Sequence, residues 1–169
     1  MAVEAFQSPA ASERLYRKRK RGPQGHPDIM GQNYAKYCHV SGMLKYPVEC
    51  FEATKAHREV IHGPTDFVLM IKGTKFQCHK TVLMSASRYF ETMLTMFDER
   101  SKSEVELKDI VEVPTMALAL HFVYDGNLPT VRKRILTKKN VHDILQLAIY
   151  LQIQALQSHC CRYVNQGII

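Results

Sequence analysis

No stretch of this sequence approaches the roughly 20 uninterrupted apolar residues that a helix needs to span a bilayer. The most apolar run, Val113 to Tyr124, is broken by Pro114, Thr115 and His121. The N-terminus has no basic start followed by an apolar stretch, which argues against a secretory signal. An intracellular protein of the nucleus, the cytoplasm or both is expected, with no membrane partner. Cysteine is sparse and irregular: Cys38, Cys50, Cys78, Cys160 and Cys161 make an odd count without a CxxC. That pattern disfavours a disulfide framework or zinc knuckle and fits reduced thiols. A Gly-rich phosphate loop, a GxSxG elbow and a plausible carboxylate pair are missing too. Neither catalysis, nor a cofactor, nor a metal is expected.

What is present suits one soluble domain. The 169 residues allow a single real core. Apolar residues at 46% and charged residues at 23% lie in the ordinary globular range. The net charge of +7 is uneven. Residues 1–42 carry seven Lys/Arg against three Asp/Glu, and mix Ser, Pro, Gly and Gln without an apolar period. They read as a disordered basic tail. Its run Arg17-Lys18-Arg19-Lys20-Arg21 is either a nuclear import signal or a solvated charge run. The remainder, sixteen Lys/Arg against thirteen Asp/Glu, is only mildly basic, so a nucleic-acid surface is not expected there.

Residues 43–165 read as the ordered domain, followed by a short tail at 166–169. Pro47, Val48, Phe51, Val60 and Ile61 suggest a helix stopped by Gly63-Pro64. Asp66 to Lys72, a Gly73-Thr74 turn and Lys75 to Cys78 read as a hairpin whose first strand is covered on both faces. Val82, Leu83, Ala86, Tyr89, Phe90, Met93 and Leu94 then recur at helical steps, as one helix or two short ones. Ser103 to Asp109 alternates like a further strand. Pro114 opens a helix, apolar nearly all round and therefore central, that ends near Gly126. Leu128 to Lys139 reads as a basic loop with room for a short strand, and Asn140 as the N-cap of the next helix. Two tightly joined helices close the chain as a hairpin. The total is an α+β domain.

In order and spacing these residues resemble a BTB/POZ domain. The first half of the likeness lies in Asp66-Phe67, Phe76-x-Cys78-His79-Lys80, Val82-Leu83 and Ser85-x-Ser87-x-Tyr89-Phe90. The second lies in Val105-x-Leu107, Phe122-Val123-Tyr124-x-Gly126, Asn140-Val141 and Ala148-x-x-Leu151-Gln152-Ile153-x-x-Leu156-x-x-x-Cys160. The likeness runs from about Tyr46 to Val164 and is strongest to the BTB domains of kelch-like proteins. It implies a small mixed sheet flanked by helices, and a homodimer or a mixed dimer with other BTB proteins. It also implies an adaptor role in a cullin-3 ubiquitin ligase, with a φ-x-E docking motif at Phe97-Asp98-Glu99 and further cullin contacts at Tyr89, Met93 and Tyr124. By the same resemblance, Asp66 and Lys80 line a charged pocket near the dimer groove. A second reading stays open: the BTB module of a nuclear transcriptional regulator that holds a corepressor peptide. Two departures stand out, a first helix without a leucine-rich stripe and a longer, more basic segment between Gly126 and Asn140. The sequence reaches Ile169 without BACK, kelch or zinc-finger repeats, so substrate selection is expected to lie outside it.

Each position has a plainer reading as well. Phe97 can fold back on Met93 and cap the core. Asp66 and Lys80 can be a strand-start acid and a solvent-facing lysine. His79 beside Cys78 is expected to be a core histidine bonded to backbone, because neighbours on a strand face apart. His159-Cys160-Cys161 diverge around a helix and make no metal set.

Overall fold

A computed structural model of the chain describes residues 44–96, 101–108, 112–126 and 129–167. Pro47 opens helix α1 (Pro47–Ala53), and α2 (Lys55–His62) follows after a break at Thr54. The break has a local cause. The Thr54 hydroxyl donates back to the carbonyls of Cys50 at 3.2 Å and Phe51 at 3.0 Å, a bond that bends or interrupts a helix. One continuous helix up to Gly63 is therefore corrected to two. The predicted apolar stripe is corrected with it: Val60 and Ile61 are exposed, while Arg58 is only 2% exposed. Gly63 ends α2 at φ 83°, a left-handed turn that glycine adopts without a Cβ clash.

Strands β1 (Phe67–Ile71) and β2 (Thr74–Cys78) form the antiparallel hairpin. The turn is corrected from Gly73-Thr74 to Lys72-Gly73, both at positive φ as a two-residue hairpin turn requires, and Thr74 opens β2. Phe67, Leu69 and Ile71 are buried, whereas Val68 and Met70 are half-buried, so the second face of β1 is covered only in part. Strand β3 (Glu104–Glu106) pairs parallel to β1, with Leu69 opposite Val105. The sheet order is β2-β1-β3. Helices α3 (Lys80–Ala86) and α4 (Arg88–Met96) pivot on Ser87, which is buried in extended backbone. The Ser87 hydroxyl accepts the Phe90 N–H at 3.1 Å and donates to the Leu151 carbonyl at 2.5 Å. One side chain thus caps α4 and ties it to the C-terminal helices.

Helix α5 (Val113–Asp125) is the central element that its composition predicts. Met116 through Phe122 are all buried, and α5 packs against α1, α3 and the C-terminal helices. The basic loop expected next is corrected to helix α6 (Pro129–Arg134). Pro129 presets the first-turn φ, and Val131 and Ile135 are buried one turn apart, joined by a 3.0 Å backbone bond. Asn140 precedes α7 (Val141–Tyr150) but does not cap it through its side chain. Its amide instead seals the preceding turn, accepting the Thr137 N–H at 2.7 Å and donating to the Ile135 carbonyl at 3.0 Å. α7 turns through Gln152, at φ 52°, into α8 (Gln154–Asn165), completing the helical hairpin. The α+β class, the small mixed sheet and the closing hairpin are as the sequence implies.

Candidate docking surface

Helix α4 is amphipathic, and its residues at four- and three-residue steps lie on adjoining turns. Phe90 and Leu94 fill the core, Met93 is nearly buried, and Tyr89 is half-buried. The last residue of α4, Met96, is 77% exposed. The Tyr89 ring lies 5.2 Å from that of Tyr150 on α7, and the two hydroxyls approach to 3.4 Å. Next to Tyr150, Ile149 is 57% exposed. A groove of about 450 Å³ runs between α4 and the β3 segment, lined by Tyr89, Met93, Val105 and Leu107 together with the polar Arg88, Thr92, Glu106 and Gln152. Aromatic and apolar side chains are thus exposed here among polar ones, and such aromatic anchors are where a protein partner gains most. It brings together Tyr89 and Met93, two of the positions implied for cullin docking. The remaining motif, Phe97 and Glu99, lies outside the described residues, as do Arg17, Lys18, Arg19, Lys20 and Arg21.

Tyr124 sits in a different cluster. Its hydroxyl accepts the His79 backbone N–H at 2.8 Å and lies 2.9 Å from His79 Nδ1. The other ring nitrogen of His79, Nε2, is 2.8 Å from the Gly63 carbonyl. A carbonyl only accepts, so Nε2 carries a proton and donates to it, while Nδ1 bonds the Tyr124 hydroxyl. His79 is thus the backbone-bonded core histidine that its position suggests. Cys78 is also buried, and burial pushes its thiol up to about 12, so it stays protonated and offers no nucleophile. Burial raises Tyr124 as well.

Arg58 completes this cluster and was not singled out from the sequence. Its guanidinium lies 3.5 Å from the centre of the Phe51 ring and 5.2 Å from that of Tyr124. Nη1 donates to the Phe51 carbonyl and the Thr54 hydroxyl, both at 2.6 Å, while Nε and Nη2 are buried without a partner. Burial holds the Arg58 pKa below its usual value. The available clue was spacing: Phe51, Thr54 and Arg58 stand at i, i+3 and i+7, one helix face. His121, buried on α5, adds a tie to α1 with Nε2 3.0 Å from the Pro47 carbonyl.

Asp66 and Lys80 are joined through the backbone, Asp66 Oδ1 accepting the Lys80 N–H at 2.9 Å. The carboxylate is exposed and sits at the start of α3, where the helix dipole favours it. The Lys80 ammonium lies 5.8 Å from the Phe67 ring. Among the described residues, no group of three or more His, Cys, Asp or Glu is placed to hold a metal, and no helix is long and apolar enough to cross a membrane.

The architecture is thus a three-stranded mixed sheet flanked by helices, with a groove of mixed polar and apolar lining beside α4. Comparison with known proteins gives the family. The BTB/POZ domain family matches residues 59–168, and the chain belongs to it. It is 36% identical over 105 residues to Kelch-like protein 40a of Danio rerio, a match covering 62% of this chain and 16% of that protein. It is 31% identical over 105 residues to human Kelch repeat and BTB domain-containing protein 2, again over 62% of this chain and 16% of the relative. The match therefore spans about a sixth of these relatives' length. Among solved structures, the BTB domain of human gigaxonin superposes with a TM-score of 0.52 at 23% identity, covering 69% of this chain and 92% of that one. The BTB domain of zebrafish PATZ1 gives 0.51 at 16% identity, over 85% and 99%. These two establish likeness of fold.

Proposed function

We propose that this chain is the docking module of a cullin-3 adaptor, pairing with a second BTB chain and seating the cullin against α4. The observation that carries this reading is the exposed apolar set of Met96, Ile149 and Tyr150 beside Tyr89. It lies where α4 runs toward the φ-x-E sequence Phe97-Asp98-Glu99. The kelch-like relatives support the same reading. Exposed Tyr46, Val60 and Ile61 near α1 and α2 supply apolar area that a second copy would cover, which supports the dimer. The protein works inside the cell in this account, with Arg17 to Arg21 directing a nuclear fraction.

Binding of the purified chain to the cullin-3 N-terminal region tests the proposal. Phe97→Ala and Tyr150→Ala should each weaken binding by about tenfold or more, on the order of 1.4 kcal/mol. Unchanged affinity in both variants would remove the cullin reading. A monomer mass by light scattering at tens of micromolar would remove the dimer.

A further inference from the structure

We propose that the cleft between α6 and α8 binds a phosphorylated side chain presented by a peptide partner. The cleft is separate from the α4 groove and independent of the cullin reading. Charge along the chain is sharply divided. Residues 44–125 carry ten Lys/Arg against twelve Asp/Glu, whereas residues 126–169 carry six Lys/Arg against one acid, Asp143. Three of those six cations surround a single concavity of about 480 Å³: Arg132 and Lys133 on α6 and Arg162 on α8. Leu136 and Tyr163 line it with apolar surface, and His159 completes it.

His159 supplies the second observation. Its ring stacks on Phe122 with centroids 5.4 Å apart, and Nε2 is buried without a hydrogen-bond partner. A buried polar atom without a partner costs free energy that a ligand can recover. A phosphomonoester fits this set of groups. It carries about −1.5 to −2 charge at neutral pH, against −1 for a carboxylate, and so suits three cations better. Arginine forks bind its oxygens in pairs. His159 Nε2 has almost no exposed surface, so the ring turns toward the cleft for a phosphate oxygen to share one proton with it. A nucleic-acid backbone instead asks for a row of cations along a track, not three around one small cleft.

The test uses the full chain, labelled with ¹⁵N and followed by NMR at fixed pH and ionic strength. The probes are inorganic phosphate, N-acetyl-phosphoserine amide and N-acetyl-glutamate amide. The expected result is a saturable shift of the His159 ring and of the Arg132 and Arg162 side-chain N–H signals with the phosphoserine probe. The glutamate probe should bind at least tenfold more weakly. Arg132→Gln and Arg162→Gln, both at exposed positions, should each weaken phosphoserine binding at least tenfold, while Lys45→Gln leaves it unchanged. Shifts that fail to saturate, equal losses in Lys45→Gln, or a single-stranded oligonucleotide that binds these residues more tightly would each overturn the proposal.

Discussion

The two halves of the domain are held together by different kinds of interaction. In residues 44–125 the core is threaded with polar groups: Arg58 under two rings, His79 bridging Gly63 and Tyr124, His121 reaching the Pro47 carbonyl. In residues 126–167 the buried positions are almost all aliphatic, among them Ile135, Leu136, Val141, Ile144, Leu147, Leu151, Ile153 and Leu156. Directional bonds fix one geometry and penalise any unmet group, whereas aliphatic packing depends on volume and shape. The comparison teaches that a buried cation can stand where a sequence pattern expects a valine or isoleucine. Substitutions in the two halves should accordingly fail in different ways.

The largest effect is expected in the aliphatic half. Leu156→Ala removes a fully buried side chain, and urea unfolding should show a loss of about 2–5 kcal/mol. Next comes Tyr124→Phe, which strips the hydroxyl from both the His79 N–H and its ring; a loss of about 1–3 kcal/mol is expected by the same measurement. Ser87→Ala cuts the one hydroxyl that joins α4 to the Leu151 carbonyl, and should lower stability by about 1–2 kcal/mol. Arg58→Met should change stability by less than about 1 kcal/mol, or raise it. Two of its buried N–H groups are unpaired, and the Phe51 carbonyl keeps its Thr54 donors. A loss as large as that of Leu156→Ala would show that the cation itself is needed.

The smallest effect is a pH dependence common to both halves. Burial lowers the pKa of His62 on α2 and of His159 on α8. The unfolded chain then takes up these protons first, so their contribution is intact above about pH 6.5 and declines as pH falls through the folded values. The stability difference between the wild type and His62→Gln, or His159→Gln, should therefore shrink on acidification. A difference that is flat between pH 7.5 and 5 would show that neither ring is strained by protonation.

Much of the fold was legible because its elements announce themselves locally. A continuous apolar run ending at a Gly73 turn gave the hairpin, and apolar residues at helical steps gave α4, α5 and the closing pair. Of the positions that the resemblance implies for docking, Tyr89 and Met93 lie as neighbours on one helix. Tyr124, which the resemblance implies for the same surface, is bonded to His79 and lies over Arg58, because the end of α5 packs over α1. The break at Thr54 and the helix at Pro129 escaped because a hydroxyl's bond to its own helix and two buried branched residues outweighed average propensity.

By itself, the sequence determined the hairpin, the central helix and the closing helical pair, because periodic burial and turn residues act within a few neighbours, and its motifs carried the resemblance to one family. Only the tertiary structure decided which polar side chains are buried, how Ser87 joins the two halves, and that three cations and a histidine meet at one cleft. Those outcomes depend on groups far apart in the chain, whose distances no local pattern sets.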